Sequence, residues 1–165
     1  MAVLTLPELK RHLGAKATDD EADLLVLIDA AEAAVAQRCG PLASTETTVR
    51  VRGGRSLVVP SPVISVTSVT ARSGAVVDAG SYYVLGDSGV IASDSGFAED
   101  FYDVVYAAGR ATCPPDLLLA VREMARYMWL SRRGPAAGIA GSDTAVSALR
   151  RAEEFMAPYM RPGFA

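Results

Sequence analysis

Histidine is almost missing from this sequence: His12 is the only one in 165 residues. A hydrolytic site of the Ser-His-Asp or Cys-His kind would have to use it. No nucleophile stands beside it, and no Gly-x-Ser-x-Gly elbow occurs. A lone histidine on a short amphipathic helix is most simply a surface or packing residue. Cysteine is nearly as scarce. Cys39 and Cys113 are too few and too far apart for a disulfide framework or a metal set, which fits a reducing folding environment. Neither has the neighbouring charges that favour a reactive thiolate. The glycines form no phosphate loop, because Arg52-Gly53-Gly54-Arg55 lacks the following Lys-Ser/Thr and Gly134–Gly141 has no preceding strand. Acidic pairs at Asp19-Asp20, Glu99-Asp100 and Glu153-Glu154 lack the alternation of a calcium loop. No apolar run approaches the roughly 20 residues of a membrane span, and no signal peptide is expected at the N-terminus. The net charge of −3 carries no whole-chain signal for nucleic acid. No catalytic, cofactor-binding or metal-ligating residue is therefore expected, and no cofactor.

What is present is ordinary material for a folded domain. Half of the residues are hydrophobic and only 7% are aromatic, so the core must come from Leu, Val, Ile and Ala. The length fits one domain that buries roughly 70% of its unfolded surface. The spacing predicts a short helix from Leu6 to Leu13, opened by a Thr5/Glu8 capping box and stopped at Gly14. A second helix is predicted behind Thr18 and Glu21, with Leu24, Ile28, Ala31 and Val35 on one stripe and Gly40-Pro41 as its stop. Its alanines make it thin enough for close packing.

The middle third has no helical period. Val49–Arg52 alternates as a half-buried strand does, and Gly53-Gly54 reads as a hairpin turn before Leu57–Val59. Val63–Thr70 predicts a longer strand. Shorter ones are expected at Val76-Val77, Tyr82–Leu85, Val90-Ile91 and Tyr102–Tyr106. Helical spacing returns after Gly109. Pro114-Pro115-Asp116 opens a helix with Leu117, Val121, Ala125 and Met128 on one face, and Trp129 is expected in a core or an interface. A small-residue loop is expected at Ala136–Ser142. A last helix is expected from Asp143 or Thr144 on a Val146, Leu149, Ala152, Met156 stripe.

The fold class is thus α+β. A four-helix body in the order α-α, β insert, α-α carries a small antiparallel insertion at about 45–107 and an extended C-terminal tail at about 158–165. Charge is uneven. The first 40 residues are acid-rich, whereas Arg122, Arg126, Arg132, Arg133, Arg150, Arg151 and Arg161 crowd the last third. Solvated helix faces explain most of this. Contact with an acidic partner or with passing DNA is the functional alternative.

Taken in order, several stretches resemble the phage head–tail connector family of long-tailed siphophages. They are Leu4–Leu13, followed by Thr18-Asp19-Asp20-Glu21 and the Ala-rich helix; Pro60–Val69; Tyr83-Val84-Leu85 leading to Gly89-Val90-Ile91; Val104–Gly109 before Pro114–Leu117; and Trp129 through Arg132-Arg133-Gly134. The end, from Ala157-Pro158-Tyr159 to Ala165, looks like the C-termini of actinobacteriophage members. The likeness covers nearly the whole chain. It rests on joint order, because no single stretch is a chemical signature. The long β insert departs from the simplest members.

The resemblance implies a structural virion protein rather than an enzyme. It implies a head–tail adaptor ring, commonly dodecameric, beneath the portal, extending the DNA channel toward a stopper or tail-completion protein. The implied partners are further copies of the chain, the portal, that downstream protein, and double-stranded DNA passing without sequence-specific contact; no membrane is involved. Assembly would take place in the host cytoplasm. The implied portal-docking element is the tail: Tyr159, Met160, Arg161, Pro162, Gly163, Phe164 and Ala165. Its apolar residues have no clear place in a core, as in a segment ordered by a partner. Arg50, Arg52, Arg55, Arg132 and Arg133 are the candidate channel or partner contacts. The alternative from another class is a DNA-binding module assisting genome packaging.

Overall fold

The structure, a computed structural model, describes residues 3–14, 20–86, 88–132 and 138–160, with side chains in the last range from 143 onward. The chain divides into two compact units: a helical unit, Met1–Leu42 with Cys113–Ala165, and a β unit, Ala43–Thr112. The single core expected from length is thus two cores. Helical stripes pack on one another, and the inner faces of short strands do the same.

Four helices build the first unit: α1 (Leu6–Leu13), α2 (Glu21–Cys39), α3 (Pro115–Arg132) and α4 (Gly138–Met156). The Glu8 carboxylate accepts from the Thr5 N–H at 3.1 Å and the Thr5 hydroxyl at 2.7 Å, so the box predicted for α1 forms. Glu32 on α2 holds the chain before α1, accepting from the N–H groups of Val3 (2.6 Å) and Leu4 (2.9 Å). Without it those part-buried donors would be left unpaired, which is costly. The cap of α2 differs from expectation. Asp20 is the N-cap and accepts from Ala22 at 2.9 Å, so Glu21 is the first helical residue rather than the third. Asp is as good a cap as Thr and closer to the first apolar turn. Thr18 lies outside the described residues.

The helical core is Leu24, Leu27, Ile28, Ala31 and Val35 of α2 against Leu117, Val121, Met124 and Ala125 of α3, with Leu4, Leu9 and Met156 filling around them. Trp129 is partly buried and packs against this cluster. Two expectations for α4 are corrected. The helix begins at Gly138, inside the stretch read as a loop. Extending an anchored helix backwards is easier than nucleating one, so two glycines do not stop it. Its buried side is Ala145, Ala148, Ala152 and Met156, and Val146 is half exposed. Small residues win that face because they let α3 and α4 approach closely. Pro158 ends the α-helix; Ala157–Tyr159 form a 3-10 turn, and Tyr159 lies against the helical core.

The β unit holds two three-stranded antiparallel sheets. One has the order β1 (Thr45–Arg52), β6 (Phe101–Ala108), β3 (Val63–Ala71). The other has the order β2 (Ser56–Val58), β5 (Val90–Ala92), β4 (Tyr83–Val84). Along β6 the alternation is plain: Tyr102, Val104, Tyr106 and Ala108 face the core, and Phe101 faces out. Val76 makes only an isolated bridge to Thr70. Gly53-Gly54 does not close a hairpin, because β1 pairs with β6 and β2 with β5. Gly53 instead crosses the 97–102 segment, donating to the Asp100 carbonyl at 2.7 Å, while Gly54 accepts from Phe97 at 2.7 Å. A Cβ at Gly53 would lie 2.1 Å from the Ala98 carbonyl oxygen, so a side chain is excluded there. The glycine pair was a real signal, but for a close crossing rather than a turn.

Candidate functional site

Two surfaces of the helical unit stand out. The first surrounds Glu123, the one charged or polar side chain that is buried among the described residues. It sits on α3 between Ala120 and Met124, which face the core, and basic side chains from three helices converge on it. His12 Nε2 of α1 is 3.4 Å away, Arg151 Nε of α4 3.8 Å, and Arg126 of α3 4.0 Å. These are ion-pair distances without close hydrogen bonds. His12 Nε2, Arg122 Nε and Glu123 Oε2 are buried and have no hydrogen-bond partner. Beside them, Arg122 donates to Glu8 at 3.1 Å. Glu8, Arg11, His12 and Arg122 line an open cleft of about 360 Å³. The Glu8 carboxyl is held below its ordinary range, chiefly by its bonds from Thr5 and to a lesser extent by Arg122. Sequence reading missed Glu123. The available signal was an acid set between Ala120-Val121 and Met124-Ala125, with Arg122 beside it and Arg126 on the following turn.

His12 is therefore a packed residue in an electrostatic cluster. Burial pushes its pKa below the ordinary 6.5; Glu123 pulls it up, while Arg126, Arg122 and Arg151 oppose the proton. The unfolded chain takes up that proton near 6.5 and the folded chain only at lower pH. Stability must then fall as pH drops through about 6.5, and the slope must vanish once the folded imidazole is also protonated. His12→Gln is expected to remove this slope. Thermal melts between about pH 7.5 and 5.5 check it, the window in which histidine changes charge. Parallel slopes in parent and variant would place the proton elsewhere.

The second surface is the outer side of α2. Asp23, Leu25, Val26, Asp29 and Ala33 are all exposed there, with Leu25 at 49% and Val26 at 54%. This helix is apolar on most of its circumference, yet only one side of it is covered. Helices of that composition are normally buried all round.

In the β unit, the small sheet turns a second apolar face outward. Val58 pairs with Val90, and Leu85 donates to the Val90 carbonyl at 2.9 Å, so these three form one row across the strands. Tyr83 opposite Ala92 adds the next row. Val58, Leu85 and Tyr83 are about half exposed or more. Leu57, Ile91 and Val84 occupy the alternate positions and face the core.

Two of the five arginines singled out from sequence, Arg50 and Arg52, stand against acids. Arg50 grips Asp103, directly opposite on β6, through two bonds of 2.7 and 2.8 Å. Those bonds hold the Asp103 carboxyl below its ordinary range. Arg52 lies 3.6 Å from Glu99. Exposed pairs of this kind add little stability, but they cancel charge. Arg55 and Arg132 are exposed. Arg50, Arg72 and Phe101 border a shallow depression of about 310 Å³. Of the tail, Tyr159 and Met160 are described, with Met160 exposed. Arg133, Arg161, Pro162, Gly163, Phe164 and Ala165 lie outside the described residues. No helix among the described residues is long and apolar enough to cross a membrane.

The sequence matches a family model described as head completion protein over residues 2–144. Among solved structures, a chain from the virion of a native gene transfer agent (GTA) particle superposes with a TM-score of 0.62 at 24% identity, covering 76% of this chain and 77% of that one. At that identity the likeness is one of fold. No curated protein matches.

Proposed function

The chain belongs to the head completion protein family, a family of structural virion components, and from that premise we propose that it is a head–tail adaptor. Copies of it form a ring beneath the portal, extend the DNA channel, and receive a stopper or tail-completion protein. It performs no catalysis. The observation that carries this reading is the apolar surface left uncovered on each unit: Leu25 and Val26 on α2, and Val58, Tyr83 and Leu85 on the small sheet. Contiguous exposed apolar surface marks interaction sites, and one such face on each unit suits a component placed between neighbours.

The packaging alternative needs an uncompensated basic stripe with interleaved aromatics. In the β unit the acids Asp103 and Glu99 stand against Arg50 and Arg52, which favours passive lining of a channel over gripping DNA.

We assign portal docking to the end of the chain beyond Tyr159. Tyr159 itself packs on the helical core, so the informative deletion removes 161–165 and leaves Tyr159 in place. The shortened protein is expected to melt within about 1 °C of the parent, since no described core contact is lost, and to stop co-sedimenting with portal rings. Undiminished co-sedimentation would reject the tail as the docking element. Images of the parent with its portal test the adaptor reading as a whole. A chain never found at the portal in such particles would overturn it.

A further inference from the structure

We propose that the outward stripe of α2 in one copy, Leu25 and Val26 flanked by Asp23 and Asp29, seats on the arginine cluster around Glu123 in a second copy. This rests on the self-assembly reading above and deepens it by naming the two faces that meet.

The charges are complementary. The cluster holds Arg11, Arg122, Arg126 and Arg151 against only Glu8 and Glu123. With His12 neutral, two positive charges remain unmatched. On α2, Glu21 is already bound to Lys10 at 2.6 Å. Asp23 and Asp29 are exposed and have no ion-pair partner among the described residues, which leaves two negative charges unmatched. Apolar character matches as well. Leu25 and Val26 stand between the acids, and the arginine stems offer apolar sides to such residues while their heads remain free to pair. Ala33 on the same stripe keeps the helix surface low enough for another helix to lie against it.

The two faces are different patches of the same chain. Their contact is therefore heterologous, and it propagates from copy to copy until a ring closes. A second copy is favoured over duplex DNA as the occupant of the cluster. The exposed Leu25 and Val26 between the α2 acids give the apolar arginine stems a partner that a phosphate backbone lacks. Rim charges such as those of Asp23 and Asp29 guide association and weaken with salt.

The test is a charge exchange. One variant carries Asp23→Arg and Asp29→Arg; the other carries Arg11→Glu and Arg151→Glu. Arg11→Glu alone serves as a third, because Arg11 has no ion pair to lose among the described residues and its change cannot strand Glu123. Self-association is read by analytical ultracentrifugation at low salt, free and on portal rings, after melting curves establish that each variant folds. Each variant alone is expected to associate at least about tenfold more weakly than the parent. An equimolar mixture of the two double variants, in which opposite charges face each other again, is expected to recover most of the loss. Variants that assemble like the parent, or a mixture that fails to recover, overturn the assignment of faces and leave the ring reading standing. A parent chain that stays monomeric in both settings defeats the ring reading, and this proposal with it. Loss of duplex DNA binding in the Arg11→Glu/Arg151→Glu variant with normal assembly shows that the cluster serves DNA, and also overturns the proposal.

Discussion

Gly89→Ala is expected to destabilise the protein by about 3 kcal/mol, from overpacking of roughly 1–3 kcal/mol and left-handed strain of roughly 1–2 kcal/mol. Gly89 has φ +79°, and a Cβ there would lie 2.2 Å from the Val59 carbonyl oxygen. The neighbour cannot retreat easily, because Val59 donates its own N–H to the Gly89 carbonyl at 2.8 Å. That bond continues the β2–β5 pairing that buries Leu57 and Ile91. Gly74 is the control. Its φ is +87°, but open space surrounds it, so alanine there meets only the strain, about 1 kcal/mol. Thermal or denaturant unfolding of both variants separates clash from strain. Equal losses would mean that the crowding at Gly89 has no energetic weight. Hydrogen exchange should locate the Gly89 loss in β2 and β5.

Glu123→Ala is expected to cost about 2–3 kcal/mol. Removing one member of a buried ion pair costs roughly 3–5 kcal/mol when the partner stays buried. Here the loss falls at or below that range, because the side chains of His12, Arg126 and Arg151 are 25–47% exposed and can rehydrate. Glu123→Gln keeps the shape and removes only the charge. Melting the two variants at low and high salt divides the effect: an electrostatic share shrinks with salt, a packing share does not. If both variants matched the parent, the carboxylate would be a bystander among the arginines. Glu123→Ala also leaves a further unmatched positive charge in the cluster, so its effect on assembly is distinct from its effect on folding.

Local signals in the sequence were legible where one residue governs one feature. The Thr5/Glu8 box, the Gly40 stop and the Leu24–Val35 stripe each act within a turn or two, and all three are in place. Strand positions from Val49 to Tyr106 were legible for the same reason, since alternation is a property of single strands; the exception is Val76-Val77, too short to alternate, where only an isolated bridge forms. Pairing is not. The partner of β1 is β6, some fifty residues away, and nothing in Gly53-Gly54 distinguishes a hairpin from a crossing. The small-residue face of α4 was misjudged because Val146 is larger and more apolar than Ala145 or Ala148. What decided that face was closeness of approach to α3, which hydropathy does not measure. Glu123 escaped notice because an acid on an arginine-rich helix resembles ordinary surface salt bridging until the third dimension places α1 and α4 over it.

One feature of the β unit bears on how such a protein could change over time. Its first strand and its last are antiparallel neighbours, with Thr45 opposite Ala108. The chain therefore enters and leaves the unit within about 5 Å, the spacing of adjacent strands. A segment whose two ends emerge side by side behaves as a cassette. It can lengthen, shrink or be exchanged for another without prising α2 and α3 apart, so whatever the insert touches can diverge while the helices keep their own contacts.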